Sequence, residues 1–307
     1  MSIDTGRVWS PVITPFTADL APDTARFVAH CRWLLDNDVG LAVFGTNSEA
    51  NSLSVDEKCK LLDALIDDGI PAERLMPGTG SCAIPDAVAL TRHAVDKGVE
   101  GVLMLPPFYY KGVSDEGLFR YFADVIERVG DERLRIYLYH IPPVSQVPIS
   151  LSLIERLLAA YPGTVVGVKD SSGDWDNTKA MIDSFGADGF QVYAGSEPFL
   201  LDTLRAGGAG CISATANVNP GPIAALARQW QDDDADDQQA ALIRTRRIFE
   251  SVPMIPALKA ATARYSGMDS WARPRPPLVE LNAEQRQTLF SRLDDIGFDM
   301  PGVPTGN

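Results

Sequence analysis

The chain of 307 residues has few histidines, few cysteines and few lysines, and its basic residues are outnumbered by acidic ones. The three histidines are His30, His93 and His140. Two fall inside amphipathic stretches and the third stands apart from every cysteine, so no metal cluster and no Ser-His-Asp arrangement is signalled. The four cysteines, Cys31, Cys59, Cys82 and Cys211, include no CxxC pair, which speaks against a zinc site or a disulfide framework and fits a reducing, cytoplasmic setting. No window approaches ~18 uninterrupted apolar residues, and the N-terminus has no basic segment leading into an apolar one, so neither a span nor a leader is expected. With 27 Lys plus Arg against 41 Asp plus Glu, the net charge is −14. That is the wrong sign for neutralising phosphates or anionic lipid, so neither nucleic acid nor a membrane is an expected partner, while a small anionic substrate is compatible. Neither GxGxxG nor GxxxxGK[ST] occurs, and Gly78-Thr79-Gly80 is too short to be a dinucleotide fingerprint.

What is present is a regular alternation. Apolar residues make up 45% and charged residues 22%, enough to fill a sizeable core. Short runs rich in Val, Ile, Leu and Tyr predict strands at Val8–Thr14, Val39–Phe44, Arg74–Pro77, Gly101–Leu105, Arg135–Tyr139, Val165–Lys169, Gln191–Tyr193 and Gly210–Ser213. Stretches with helical spacing lie between them, at Thr24–Asn37, Val55–Asp68, Ile84–Lys97, Asp115–Val129, Leu151–Ala160, Trp175–Phe185 and Pro198–Ala206. Ser54 with Glu57 reads as a capping box, and Gly40, Gly98 and Gly207 or Gly208 stand where helix C-caps belong. Strands apolar throughout are buried on both faces, which favours a covered parallel sheet. Their number favours a (β/α)8 TIM barrel, an α/β fold, over a doubly wound open sheet.

After about residue 219 the strand signals cease. Helices are expected over Pro220–Gln231, Gln238–Tyr265 and Ala283–Ile296, interrupted by an acidic loop, DDDADD at 232–237, and an extended connection, RPRPP at 273–277. The expected organisation is a catalytic barrel over 1–219 and a C-terminal helical appendage over 220–307.

In a parallel barrel, function collects where strands end. Lys169 directly continues Val165-Val166-Gly167-Val168. A lysine there loses hydration, and its neutral amine can add to a carbonyl to form a Schiff base; the competing reading pairs it with Asp170. Tyr139 ends its own strand and is placed to carry protons, although a core tyrosine with a satisfied hydroxyl reads the same way. Gly45-Thr46-Asn47-Ser48-Glu49 offers a hydroxyl, an amide and backbone N–H groups at a strand-to-helix turn, a seat for a carboxylate. Other polar residues at strand ends include Ser171 and Glu197, and Lys111 follows two tyrosines in a loop read as exposed.

Taken in order, GTNSEANSLS at 45–54, LPPFYYKG at 105–112, YHIP at 139–142, VGVKDSSGD at 166–174 and AGGAGCISATANVNP at 206–220 resemble the dihydrodipicolinate synthase and N-acetylneuraminate lyase family of pyruvate-type class I aldolases. The resemblance implies a barrel with a helical C-terminal domain and a homotetramer. Lys169 would be the lysine that forms the Schiff base with the 2-oxo acid, so that no further cofactor is needed. Tyr139 would be the catalytic tyrosine, Thr46 the relay hydroxyl, Tyr110 the tyrosine that completes the relay from a neighbouring subunit, and Ile212 the residue whose carbonyl faces the site. Two departures stand out. Asn47 occupies a position where the family commonly has a second hydroxyl; its amide can donate to a carboxylate but cannot relay a proton. Val144 lies five residues after Tyr139, where the synthases carry an arginine that binds the aldehyde's carboxylate. Losing that guanidinium removes about 1.5–3 kcal/mol of anion binding, which disfavours the synthase reaction.

The implied activity is reversible cleavage of a 4-hydroxy-2-oxo acid, such as a 2-keto-3-deoxy sugar acid, into pyruvate and an aldehyde. Ser48, Ser171 and Glu197 join Asn47, Val144 and Ile212 as candidate substrate contacts. A Schiff-base dehydratase or deaminase is the nearest alternative, because the same imine acidifies C3. A non-catalytic 2-oxo acid sensor is less favoured, since binding alone does not require both a nucleophile and a proton relay.

Overall fold

A computed structural model describes residues 8–306. Its elements in chain order are β1 (Val8–Ser10), α1 (Thr24–Asp36), β2 (Gly40–Leu41), α2 (Val55–Asp67), α3 (Ile84–Asp96), β3 (Val102–Met104), α4 (Asp115–Val129), β4 (Ile136–His140), α5 (Pro142–Ser145), α6 (Leu151–Ala160), β5 (Val165–Asp170), α7 (Trp175–Phe185), β6 (Gln191–Ala194), α8 (Leu200–Arg205), β7 (Gly210–Ile212), α9 (Pro220–Arg228), α10 (Ala235–Glu250), α11 (Met254–Ser266) and α12 (Ala283–Asp295). These form two compact units: the described residues up to Ile70 together with those from Ser213 onward, and Pro71–Ile212.

In the second unit, β3 to β7 pair in sequence order and always in parallel. Such neighbours need crossover helices, and the amphipathic spacing supplies them. On α4 the buried residues Leu118, Tyr121, Phe122, Val125, Ile126 and Val129 recur at three- and four-residue intervals. The helix starts where the Ser114 side chain accepts the Gly117 N–H at 3.2 Å and stops at left-handed Gly130. Replacing Ser114 by alanine would cost about 1 kcal/mol.

The third expected strand, Arg74–Pro77, is not a strand. Ala72–Arg74 forms a 3₁₀ turn, and the extended stretch after it makes isolated bridges rather than a ladder, Gly78 to Leu103 in parallel among them. Leu103 N–H donates to Pro77 O and Thr79 N–H to Leu103 O, both at 2.9 Å. Pro77 has no N–H to extend the ladder. The same limit cuts β1 short before Pro11, while a left-handed Phe44 (φ 62°) lies beyond the two-residue β2.

Two details of β4 and β5 set up the site. The register shifts by one residue between Ile136 and Tyr137, so that Tyr137 faces Gly167 and Tyr139 faces Lys169; a bulge of this kind re-aims every side chain after it. Gly167 is required because a Cβ there would come within 2.6 Å of the Tyr137 ring, which lies against it.

In the first unit, β1 and β2 pair in parallel, and α9 to α12 form the helical C-terminal region. Gly40 is not a helix cap: α1 ends at Asp36 with Asn37 as its cap, and a Cβ on Gly40 would lie 2.5 Å from the Trp9 indole. Gly98 and Gly207 do follow α3 and α8 in the left-handed region. The helix expected over Gln238–Tyr265 is two helices, since Pro253 cannot donate a helical hydrogen bond and disfavours helix at the residue before it. The acidic run is loop only in part: Asp236 and Asp237 occupy the first turn of α10, where they oppose the positive end of the helix dipole.

Candidate active site

Lys169 and Tyr139 are partners in the β4–β5 register, so their side chains leave the same face of adjacent strands. Lys169 is 2% exposed and Tyr139 is 3% exposed. The Lys169 Nζ donates to the Tyr139 hydroxyl at 3.3 Å and stands 4.3 Å from that ring's centroid. Asp170 does not pair with it. One residue on in the register, Asp170 lies opposite His140 and points to the other face of the sheet. Its carboxylate accepts from Ser172 N–H (3.0 Å), Asn177 Nδ2 (3.0 Å) and Thr178 Oγ1 (2.6 Å), which fixes the turn after β5.

The His140 Nε2 is 3.9 Å from Asp170 Oδ1, and its Nδ1 accepts the Ile149 N–H at 2.9 Å. The ring proton therefore sits on Nε2, facing the carboxylate. Burial pushes the His140 pKa down against the opposing pull of Asp170. The result is a buried amine beside a phenol, held by a polar scaffold on the far face.

The other candidates in this unit surround the ends of the same strands. Ser171 donates its N–H to His140 O at 2.7 Å, and a Cβ on Gly195 would clash with its hydroxyl. Ile212, the last residue of β7, is buried, as is Glu197 in the 3₁₀ turn after β6. Val144 lies in α5, just after β4, and is 61% exposed; its apolar side chain puts no guanidinium there. Tyr110 is 73% exposed and packs edge-on against Tyr109, with ring centroids 5.3 Å apart. Lys111 is exposed, as its loop position suggests, yet its Nζ donates to Phe108 O and to Ser145 O, the latter at 2.7 Å, tying two loops together.

Thr46, Asn47 and Ser48 belong to the first unit, in a 3₁₀ turn. Ser48 holds the turn from inside. Its N–H donates to Gly45 O and its Oγ accepts from Gly45 N–H, both at 3.1 Å, while Thr14 Oγ1 donates to Ser48 O at 2.8 Å. Among the described residues, the Asn47 carboxamide has no hydrogen-bond partner. Phe44 and Glu49 flank the turn with φ of 62° and 57°, a conformation that costs a non-glycine residue about 1 kcal/mol or more.

The sequence reading missed what compensates for this. Glu49 pairs with Lys259 of α11, both side chains being fully buried. Lys259 also donates to Arg273 O at 2.8 Å and lies 4.4 Å from the centroid of the Phe16 ring. The Arg275 N–H donates to Glu49 Oε2 at 2.7 Å, and its guanidinium binds Ser52 O at 2.6 Å and Glu57 Oε2 at 2.9 Å. RPRPP is thus an anchor as well as a connection, and Glu57 serves an ion pair besides its capping box with Ser54. One signal was available: Lys259 is a solitary charge in Pro256–Ala263, an otherwise small and apolar stretch.

Several known proteins are similar to this chain. The model of the dihydrodipicolinate synthetase family matches residues 4–296. A protein of Chloroflexus aurantiacus described as an uncharacterized DapA-like lyase is 35% identical over 294 residues, covering 94% of this chain and 95% of its own. The crystal structure of dihydrodipicolinate synthase from Agrobacterium tumefaciens superposes with a TM-score of 0.87 at 33% identity, covering 94% of this chain and 99% of that one. A structure of YagE, a prophage protein of the same family from E. coli, in complex with pyruvate, has a TM-score of 0.85 at 26% identity and covers 95% of this chain and 98% of that one. This likeness carries the expected fold class, a (β/α)8 barrel with a helical C-terminal region.

Proposed function

Because this chain belongs to the dihydrodipicolinate synthetase family and is a pyruvate-dependent aldolase or lyase, we propose that it reversibly cleaves a 4-hydroxy-2-oxo acid, such as a 2-keto-3-deoxy sugar acid, into pyruvate and an aldehyde. The observation that supports this best is the buried Lys169 Nζ beside the Tyr139 hydroxyl, with no carboxylate on the amine among the described residues.

In this reading the neutral Lys169 amine adds to C2 of the substrate, and loss of water leaves a protonated imine. Tyr139 receives the proton of the C4 hydroxyl and passes its own along the relay that the resemblance assigns to Thr46 and Tyr110. The electrons of the C3–C4 bond flow into C2–C3, the imine becomes an enamine, and the aldehyde leaves. Protonation at C3 and hydrolysis then return pyruvate and free Lys169. The imine is the electron sink, so the reaction needs no added cofactor. Asn47 and Ser48 would receive the 2-oxo acid's carboxylate, Ile212 would present its carbonyl, and Ser171 and Glu197 would meet the substrate beyond C3. The exposed Val144 argues against the synthase reaction, which calls for a cation there. The reading places the enzyme in the cytoplasm as a homotetramer.

Borohydride trapping with pyruvate, followed by peptide mass spectrometry, tests the mechanism. A reduced adduct on Lys169, absent from Lys169→Ala, is the expected result; pyruvate binding without an adduct would overturn it.

A further inference from the structure

The Thr46–Ser48 turn is bracketed by two left-handed non-glycine residues, Phe44 and Glu49. Neither conformation is favoured locally, so something outside the turn must hold it. Phe44 is buried and stacks on Phe27, with ring centroids 6.3 Å apart. Glu49 is held through its carboxylate, by the Lys259 ammonium on one oxygen and the Arg275 backbone N–H on the other. Lys259 is held in turn by Arg273 O, and Arg275 by Glu57 and Ser52 O. Both partners of the Glu49 carboxylate lie in α11 or in the segment after it, and α11 carries none of the candidate reacting groups.

We infer that Glu49 and Lys259 are positioning residues for substrate: their buried ion pair holds the Thr46–Ser48 turn in the shape that receives the carboxylate of the 2-oxo acid. This rests on the reading of that turn as the carboxylate seat. The unpartnered Asn47 carboxamide is the group whose placement depends on the pair, because it lies within the turn that Glu49 closes: the Glu49 N–H donates to Thr46 O at 3.1 Å. The helical C-terminal region thereby becomes part of the substrate-binding machinery, although no group in it touches the reacting atoms. The substrate feature it serves is the carboxylate common to all 2-oxo acids, whatever aldehyde is attached.

The test uses the full chain and the double variant Glu49→Gln/Lys259→Met, which removes both charges together and so leaves neither buried alone. The half-saturating concentrations of pyruvate and of hydroxyacetone, a methyl ketone without the carboxylate, are read from borohydride-trapped adduct on Lys169, and the melting temperature is measured alongside. The expected result is a rise of roughly 10- to 100-fold for pyruvate, the equivalent of losing one or two charge-assisted hydrogen bonds to a carboxylate. Hydroxyacetone should move by less than about 3-fold, and adduct at saturating pyruvate should approach the wild-type level. Glu49→Asp, which keeps the charge, should recover part of the pyruvate loss.

Unchanged pyruvate saturation would overturn the inference, as would equal losses for both ketones or a variant that no longer folds, since either shows a pair that serves the fold alone. If the wild-type protein forms no pyruvate adduct at all, it is the proposed Schiff-base reaction that fails, a result distinct from any of these.

Discussion

Lys169 and Lys259 are both almost wholly removed from water, and they face different partners. Lys169 is 2% exposed and Lys259 is 0% exposed. Each lies against an aromatic face, Lys169 at 4.3 Å from the Tyr139 centroid and Lys259 at 4.4 Å from that of Phe16. Lys259 has a buried carboxylate on its ammonium, and Lys169 has a neutral hydroxyl. An ion-paired ammonium is committed, because leaving its partner strands a buried charge. An amine hydrogen-bonded to a phenol can give up its proton and attack a carbonyl without stranding a buried anion. Burial alone therefore does not separate the two lysines; among the described residues, a counter-anion on Lys259 and none on Lys169 does.

The largest effect should fall on turnover. Lys169→Met removes the proposed nucleophile and should lower kcat by at least about 10⁴-fold, with no adduct on borohydride treatment. The double variant Glu49→Gln/Lys259→Met should still form adduct at saturating pyruvate, and failure to do so would erase the distinction between the two lysines. Tyr139→Phe keeps the amine and removes its proposed proton carrier. It should retain trappable imine while turnover falls by about 10²- to 10⁴-fold, as measured by aldehyde release from a 4-hydroxy-2-oxo acid.

Stability should separate the lysines in the opposite sense. Lys259→Met leaves Glu49 as a buried charge without its partner and should cost about 3–5 kcal/mol in denaturant unfolding, most of it recovered by adding Glu49→Gln. Lys169→Met leaves no anion behind and should change stability by less than about 1 kcal/mol. Equal costs for the two single variants would refute the comparison. For Lys259 itself, burial outweighs the attraction of Glu49 and lowers the ammonium's pKa from its usual 10.5 to about 8.

Legibility followed the same division. The proximity of Lys169 and Tyr139 could be read from local signals: an apolar run ending in lysine, another ending in tyrosine, and consecutive strands of a parallel sheet. The Ser54–Glu57 box was legible because both partners lie within one helical turn. The anchor was not. Glu49 meets Lys259 and Arg275 across more than 200 residues of sequence, and no period or spacing rule reports such a contact. Arg74–Pro77 misled because an apolar run predicts burial and extension, whereas a ladder also needs donors, and Pro77 has none. Pro253 broke a helix for the same reason, inside a spacing that otherwise continues through it.

The smallest expected effect tests whether Arg275 really fastens this anchor to α2. Glu57 has its pKa lowered from 4.5 to about 2, chiefly by hydrogen bonds from Arg275, against a smaller opposing effect of burial. The folded state thus holds the carboxylate charged more strongly than the unfolded chain does. The stabilisation is present in full above pH 4.5 and is lost as pH falls toward 2, because the unfolded chain takes up the proton first. The Glu57 side chain is 25% exposed, so the contribution should be about 1–2 kcal/mol once solvent screening is allowed for. His30 also weakens the fold in acid, but over a different interval. Burial lowers its pKa from 6.5 to about 4, with a smaller opposing effect from Asn217, so its loss runs from pH 6.5 down to 4. The difference in unfolding free energy between wild type and Glu57→Gln should therefore stay constant from pH 7 to about 5 and shrink below 4.5. A difference already shrinking between pH 6.5 and 5 would mean that the ion pair with Arg275 is not what stabilises Glu57.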